Sequence, residues 1–359
     1  MIYNRSDSTA RLSGESENSA ESASKRLMQE MSFRRMAQSG SQGGATMELV
    51  TGGAGFIGSH LVDALVAQGK SVRVLDNFSS GREEFLAHHN GRSEVEIVKA
   101  DLLDFDSLKA AMEGIDTVHH LAANPDIRLG TEVTDTDLRQ GTVATYNVLE
   151  AMRHAGVERI SFSSSSAIYG EASVMPTPET YGPVKPISLY GASKLASEAL
   201  ITAWCGTFGA KAWIHRFANI VGPRGTHGVI FDFIHKLKRD PSRLEVLGNG
   251  LQEKSYMSAE DCVRAMVHLV DQVDENVNLY NLGTGDTCSV RRIAEIVVEE
   301  SGFDNVSIEY TGGDRGWAGD VPKTSLEVGY LFSTGFVPNM QSEDAIRHTA
   351  RALIQEIGL

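Results

Sequence analysis

From Met47 onward the apolar residues of this chain fall into two alternating patterns. Short strand-like segments rich in apolar and β-branched residues occupy 47–50, 72–76, 95–99, 117–121, 159–163 and 212–217. Between them apolar positions recur at helical spacing, as at Ile57, Leu61, Val62, Leu65 and Val66. This alternation predicts a doubly wound α/β fold, a parallel sheet with helices on both faces. After Asn219 the pattern loosens: Gly222, Pro223, Gly225 and Gly228 lead into the helical stretch VIFDFIHKLKR, then short strands and turns. The expected organisation is a large domain over 47–221 to which 256–283 returns, and a smaller lobe from 222–255 and 284–359 that closes over a second ligand. The first 46 residues, rich in Ser, Glu, Arg and Gly, lack periodicity and cannot offset their ordering entropy by burial. They are expected to be a disordered extension, with Met47 a candidate start of the compact chain.

The turn after the first strand carries chemistry. In TGGAGFIGSH, Gly52, Gly55 and Gly58 let the backbone N–H groups at a helix start approach a pyrophosphate, with Phe56 and Ile57 in the same turn. A plain structural βα turn is the competing reading. The next strand ends in Asp76, followed by Asn77; a carboxylate there accepts hydrogen bonds from ribose hydroxyls and repels a 2′-phosphate, which favours NAD over NADP. An ordinary strand-end Asp in a turn competes with that. Asp101, closing VEIVKAD, is a candidate for the adenine amino group or a cap for the following helix. Leu102, Leu121, Ala122 and Ala123 complete the expected cofactor contacts.

Tyr190 and Lys194, in YGASK, are four apart and share a helix face. An ammonium under a phenol favours the phenolate, a base at neutral pH, and a base beside a nicotinamide is what hydride chemistry on an alcohol requires.

Composition narrows the partners. Lys plus Arg total 33 against 47 Asp plus Glu, a net charge of −14, which disfavours nucleic acid and anionic membrane surfaces. The cysteines, Cys205, Cys262 and Cys288, are too few and too far apart for a disulfide framework or a zinc cluster, so no metal is expected. With no membrane-length apolar run and no signal-peptide pattern, the expectation is a soluble cytoplasmic protein.

Taken in order, TGGAGFIGSH, Asp76, HLAAN at His120, FSSSSAIYG at Phe162, YGASK at Tyr190, RFANIVGP at Arg216 and GDVP at Gly319 resemble the extended short-chain dehydrogenases, specifically the nucleotide-sugar epimerase and dehydratase family. The resemblance spans 47–359 and is strongest to the UDP-galactose (UDP-glucose) 4-epimerases. It implies a Rossmann fold, bound NAD and a UDP-linked sugar substrate. Ser165, among Ser163, Ser164 and Ser166, would bond the reacting 4-hydroxyl. Tyr190 would take its proton while carbon 4 gives a hydride to NAD. Lys194 would lower the Tyr190 pKa and hold the nicotinamide ribose. Rotation of the 4-keto sugar and hydride return would invert carbon 4. Asn219 would contact the diphosphate, with Lys254 standing where relatives have arginine. Arg315 or Trp317 would serve the nucleotide.

Other departures bear on the substrate and the reaction. Thr324 stands where galactose-specific relatives have a bulky tyrosine, leaving room for an N-acetylhexosamine, and Gly141 replaces an asparagine near the nicotinamide. Ser166 and Ala167 stand where dehydratases carry an Asp-Glu pair, so epimerisation is the better reading. Decarboxylation would need a cation on a sugar carboxylate, for which Arg128 is a candidate. The resemblance also implies a homodimer through helices at 136–154 and 187–208, with Val143, Val148, Leu149, Leu195, Leu200 and Ile201 facing either the partner or the parent sheet. Rival readings are a 4-reductase, an epimerase at another carbon, and a catalytically silent NAD-sensing binding protein.

Overall fold

The computed structural model describes residues 46–316 and 321–359. The extension expected over 1–46 lies outside them apart from Thr46, as do Trp317, Gly319 and Asp320. In chain order the first elements are β1 (Met47–Thr51), α1 (Phe56–Ala67), β2 (Ser71–Asp76), β3 (Val95–Lys99), α2 (Phe105–Ala111), β4 (Thr117–His120), α3 (Ala144–Ala155), β5 (Arg159–Ser165), α4 (Leu189–Phe208) and β6 (Lys211–Phe217). There follow β7 (Asn219–Val221), α5 (Val229–Arg239), β8 (Arg243–Val246), β9 (Glu253–Lys254), β10 (Tyr256–Ser258), α6 (Ala259–Gln272), β11 (Val277–Leu282) and β12 (Cys288–Ser289). The last are α7 (Val290–Ser301), β13 (Ser307–Tyr310), β14 (Lys323–Thr324), α8 (Gly329–Ser333) and α9 (Ser342–Ile357).

Seven strands form one parallel sheet in the order β11-β6-β5-β4-β1-β2-β3. Strand neighbours point to opposite faces, so a strand covered on both sides presents apolar side chains to two cores. In β1, Leu49 joins the core under α2, α3 and α4, whereas Val50 joins the one under α1 and α6. A third core gathers Ile230, Phe233, Ile234 and Leu237 of α5, one apolar stripe at 3.6-residue spacing, with α7 and α9. Among the described residues no helix is long and apolar enough to cross a membrane.

Two expectations change. The stretch read as one helix over 136–154 enters through a π-helical turn, Leu138–Val143, before α3. There α4 passes so close that a Cβ on Gly141 would lie 2.7 Å from Ser193 Oγ. Of the residues offered as a dimer face, Val148, Leu149 and Ile201 are fully buried in the parent core, and Leu200 packs against it. Leu195 packs against a different buried cluster around Ile168, while Val143 remains exposed.

Candidate active site

Because β2, β1, β4, β5 and β6 are neighbours and parallel, their C-terminal ends bring Asp76, Gly52, Leu121, Ser165 and Ala218 onto one edge of the sheet. A cleft of about 1340 Å³ runs along that edge. Of the residues singled out in the sequence, Gly52, Gly55, Phe56, Ile57 and Gly58 line it at the first turn, and Asp76, Asn77 and Leu102 at the next two strand ends. Leu121, Ala122 and Ala123 line it after β4, as do Ser165, Tyr190 and Lys194. Asn219, Lys254 and Thr324 line the same cleft, the last two paired in register between β9 and β14. Two residues stay apart. Asp101 sits one layer back, accepting from Asn77 Nδ2 at 2.9 Å and from Leu103 N at 2.8 Å. Its alternative role as helix cap falls to Asp104, which accepts from Ser107 N at the start of α2. Arg315 turns its guanidinium to Glu171 and is not among the lining residues.

The first turn fits a dinucleotide. Gly52 has φ +70°, and a Cβ there would lie 2.8 Å from Ala122 N; a Cβ on Gly58 would run into the Gly52 carbonyl oxygen. Only glycine at both places lets the turn and α1 pack so tightly, leaving the helix start open to the cleft. Asp76 accepts from Ala54 N at 3.0 Å and Phe78 N at 2.8 Å, which aims its carboxylate at the cleft wall; burial raises its pKa against these two bonds.

At the centre of the cleft, Ser165 ends β5 and accepts from Ala167 N at 3.1 Å. Ser188 caps α4, which presents Tyr190 and Lys194 one turn apart. Lys194 Nζ donates to Ser163 O at 2.6 Å and lies 4.8 Å from the centre of the Phe162 ring and 5.8 Å from that of Tyr190. Burial pushes the Lys194 pKa down to about 8 against the opposing pull of Glu198 and Asp137. The Tyr190 phenol is shifted in the opposite direction from the one expected of a neighbouring ammonium. The phenol is enclosed by the cleft walls, which push it up to about 12; the Ser165 hydroxyl opposes that and Asp137 adds to it.

Three further residues shape the site. Asp137 is buried, with Oδ1 accepting from Asn124 Nδ2 at 3.1 Å and Oδ2 without a partner among the described residues. Burial raises its pKa, and its charge acts on both Tyr190 and Lys194. Glu198, one turn beyond Lys194, accepts from Ser164 Oγ and holds Arg216 in a fork, Nη2 at 2.7 Å and Nε at 3.0 Å. Glu198 had a readable signal: an acidic residue four beyond the lysine lies on the buried face of α4 and requires a partner. Asp137 had none, because the Tyr190 and Lys194 it acts on lie on α4, more than fifty residues on. Behind them His120, which burial keeps neutral with a pKa of about 3, hydrogen-bonds Thr51 Oγ1 and Thr145 Oγ1 and links β1, β4 and α3.

The arrangement therefore offers a dinucleotide turn, a proton-carrying phenol and hydroxyl side by side, and cations at Lys236, Arg239 and Lys254 on the cleft wall of an acidic chain. The sequence signature of the NAD dependent epimerase/dehydratase family matches residues 48–283. A Methanocaldococcus jannaschii protein provisionally named a UDP-glucose 4-epimerase is 33% identical over 309 residues, 84% of this chain and 96% of its own length. UDP-glucuronic acid decarboxylase 2 of Arabidopsis thaliana is 33% identical over 272 residues, 73% of this chain and 58% of its own. A crystal structure of a UDP-galactose 4-epimerase is 42% identical, superimposes with a TM-score of 0.78, and covers 87% of this chain and 100% of its own. With the glycine turn, the Tyr190–Lys194 pair and the seven-stranded sheet all inside the matched region, this chain belongs to the NAD dependent epimerase/dehydratase family.

Proposed function

We propose that this protein inverts carbon 4 of a UDP-linked sugar, a hexose or N-acetylhexosamine, through a 4-keto intermediate. The observation that carries this is the meeting of Ser165, Tyr190 and Lys194 on one cleft with the dinucleotide turn and Asn219. Gly52, Gly55 and Gly58 would seat the pyrophosphate, Asp76 the adenosine ribose, and Lys194 Nζ, anchored on Ser163 O, the second ribose. Bound NAD supplies the hydride acceptor and, when oxidised, a positive charge beside the phenol. Tyr190 Oη takes the proton of the 4-hydroxyl and later returns it, and Ser165 Oγ orients that hydroxyl. Burial pushes the Tyr190 phenol up to about 12, so the positive charge of oxidised NAD would help it act as a base.

Lys254 and Asn219 would meet the diphosphate. Arg315, expected on the nucleotide, is engaged with Glu171 and serves that role only after leaving it. Dehydration is disfavoured because Ser166 and Ala167 line the cleft where a proton shuttle would need carboxylates. Decarboxylation would need Arg128, which lines the cleft but is paired at 3.2 Å with Asp126 of its own loop, to turn to a sugar carboxylate. A homodimer through α3 and α4 is inferred from Val143, Tyr146 and Leu189, exposed on or beside those helices. A cytoplasmic location accords with the net charge of −14.

The purified chain, given UDP-glucose, UDP-N-acetylglucosamine or UDP-glucuronate and no added NAD, is expected to yield a 4-epimer of one of the first two. Unchanged substrates with NAD released on denaturation would favour the silent NAD-binding reading, and release of carbon dioxide a decarboxylase.

A further inference from the structure

Outside the cleft, the described residues hold one group in which three metal-ligating side chains converge: Asp63 on α1, and His88 and His89 at the end of the 3-10 turn Glu83–His89. We propose that Asp63, His88 and His89 bind a borderline divalent transition metal such as Zn²⁺.

Both imidazoles direct Nε2 at the same carboxylate oxygen, Asp63 Oδ1, each at 2.7 Å, and the three donor atoms lie within 4.8 Å of one another. Adjacent residues of a helical turn ordinarily point about 100° or more apart. Here consecutive rings sit with centroids 4.0 Å apart and planes inclined by 42°, turned toward one point. Two nitrogens and one carboxylate oxygen are a donor set that zinc accepts, whereas Ca²⁺ and Mg²⁺ require oxygens throughout.

The surroundings suit a ligand site. Arg224 Nη2 donates to Asp63 Oδ2 at 2.8 Å, fixing the carboxylate plane and leaving Oδ1 to the histidines, an outer contact of the kind that orients ligating carboxylates. His89 is buried and supplies a fixed ligand, while the His88 side chain is 48% exposed and gives an entry path. Three protein ligands leave a fourth position to water. The site joins α1, which leaves the glycine turn, to the segment that follows Asp76, so a bound ion would clamp two pieces of chain that both border the cofactor end of the cleft. The site is independent of the sugar chemistry.

The test is calorimetric titration of the full-length, EDTA-treated protein with Zn²⁺ at neutral pH, with thermal unfolding followed in parallel. Wild type is expected to take up a single Zn²⁺ per chain saturably and to unfold at higher temperature with it. His88→Ala, at the exposed ligand, is expected to melt like the metal-free wild type and to lose about 100-fold or more in affinity. Should that variant misfold, His89→Gln and the visible absorption of bound Co²⁺ replace it as the readout. No saturable uptake by wild type, or uptake unchanged in both variants, would overturn the site and leave two imidazole N–H groups merely donating to one carboxylate.

Discussion

Tyr190 carries opposing demands. A base must lose its proton near neutrality, yet enclosure in the cleft pushes the phenol up to about 12, and the Asp137 carboxylate adds to the cost of ionising it. Replacing Tyr190 with Phe removes only the proton-carrying oxygen: turnover is expected to fall by about 10²–10⁴-fold while NAD still comes off on denaturation. Asp137→Asn removes a negative charge from beside the phenol, so the acidic limb of the kcat pH profile should move to lower pH; an unmoved limb would remove Asp137 from the site's electrostatics. Lys194 gives a stability signature. Its folded pKa of about 8 lies below the 10.5 of a free lysine, so between those values the unfolded chain binds more protons and this group makes stability rise with pH. Lys194→Met should therefore erase a rise in unfolding free energy between about pH 8 and 10, the window below the opposing contribution of Tyr190, when urea unfolding is compared across that range. The pairing of Tyr190 with Lys194 was legible from spacing alone. Their pKa values were not, because burial and Asp137 come from elements distant in sequence.

Among the elements, the turn between β1 and α1 was the most legible, since its glycines have no other way to pack. Gly58→Ala places a methyl group against the Gly52 carbonyl, so α1 must move off the turn. The expected result is loss of co-purifying NAD, read by absorbance after denaturation, with a lowered unfolding temperature. The six strands expected before Asn219 appear with ends shifted by at most two residues. β5 runs on to Ser165 because β6 continues alongside it, pairing Ser164 with Arg216 and Ser165 with Phe217. The π-helical turn before α3 was not legible: a π-turn has no sequence period of its own, and the tightness at Gly141 is set by Ser193 of α4. The buried Glu198–Arg216 fork ties α4 to β6 beside the catalytic strand end. Arg216→Leu leaves Glu198 charged and unpaired and is expected to cost about 3–5 kcal/mol in chemical unfolding, much of it recovered when Glu198→Leu is added. No recovery in the double variant would mean that the pair is held by packing.

Over the whole molecule, strand-helix alternation and the order of motifs were enough for the doubly wound sheet, because βα units connect with fixed handedness and adjacent strands pair. The sequence reading returned 256–283 to the large domain without naming a strand there: VNLYNL is broken by Asn278 and Asn281, and what seats it as β11 is pairing along the whole of β6. The cleft as an object was likewise legible only in pieces. Gly52, Ser165 and Thr324 are far apart in sequence and meet because parallel strands end on one edge and β14 is laid against β9. The measurement that bears most directly on the reaction is turnover of UDP-glucose carrying deuterium at carbon 4, or the same-labelled N-acetyl sugar if that is the substrate, with no NAD added. Deuterium retained at carbon 4 of the epimer, seen by NMR, is the result expected of a hydride held on bound NAD and returned to the opposite face. Exchange of that deuterium for solvent hydrogen in the product would contradict it.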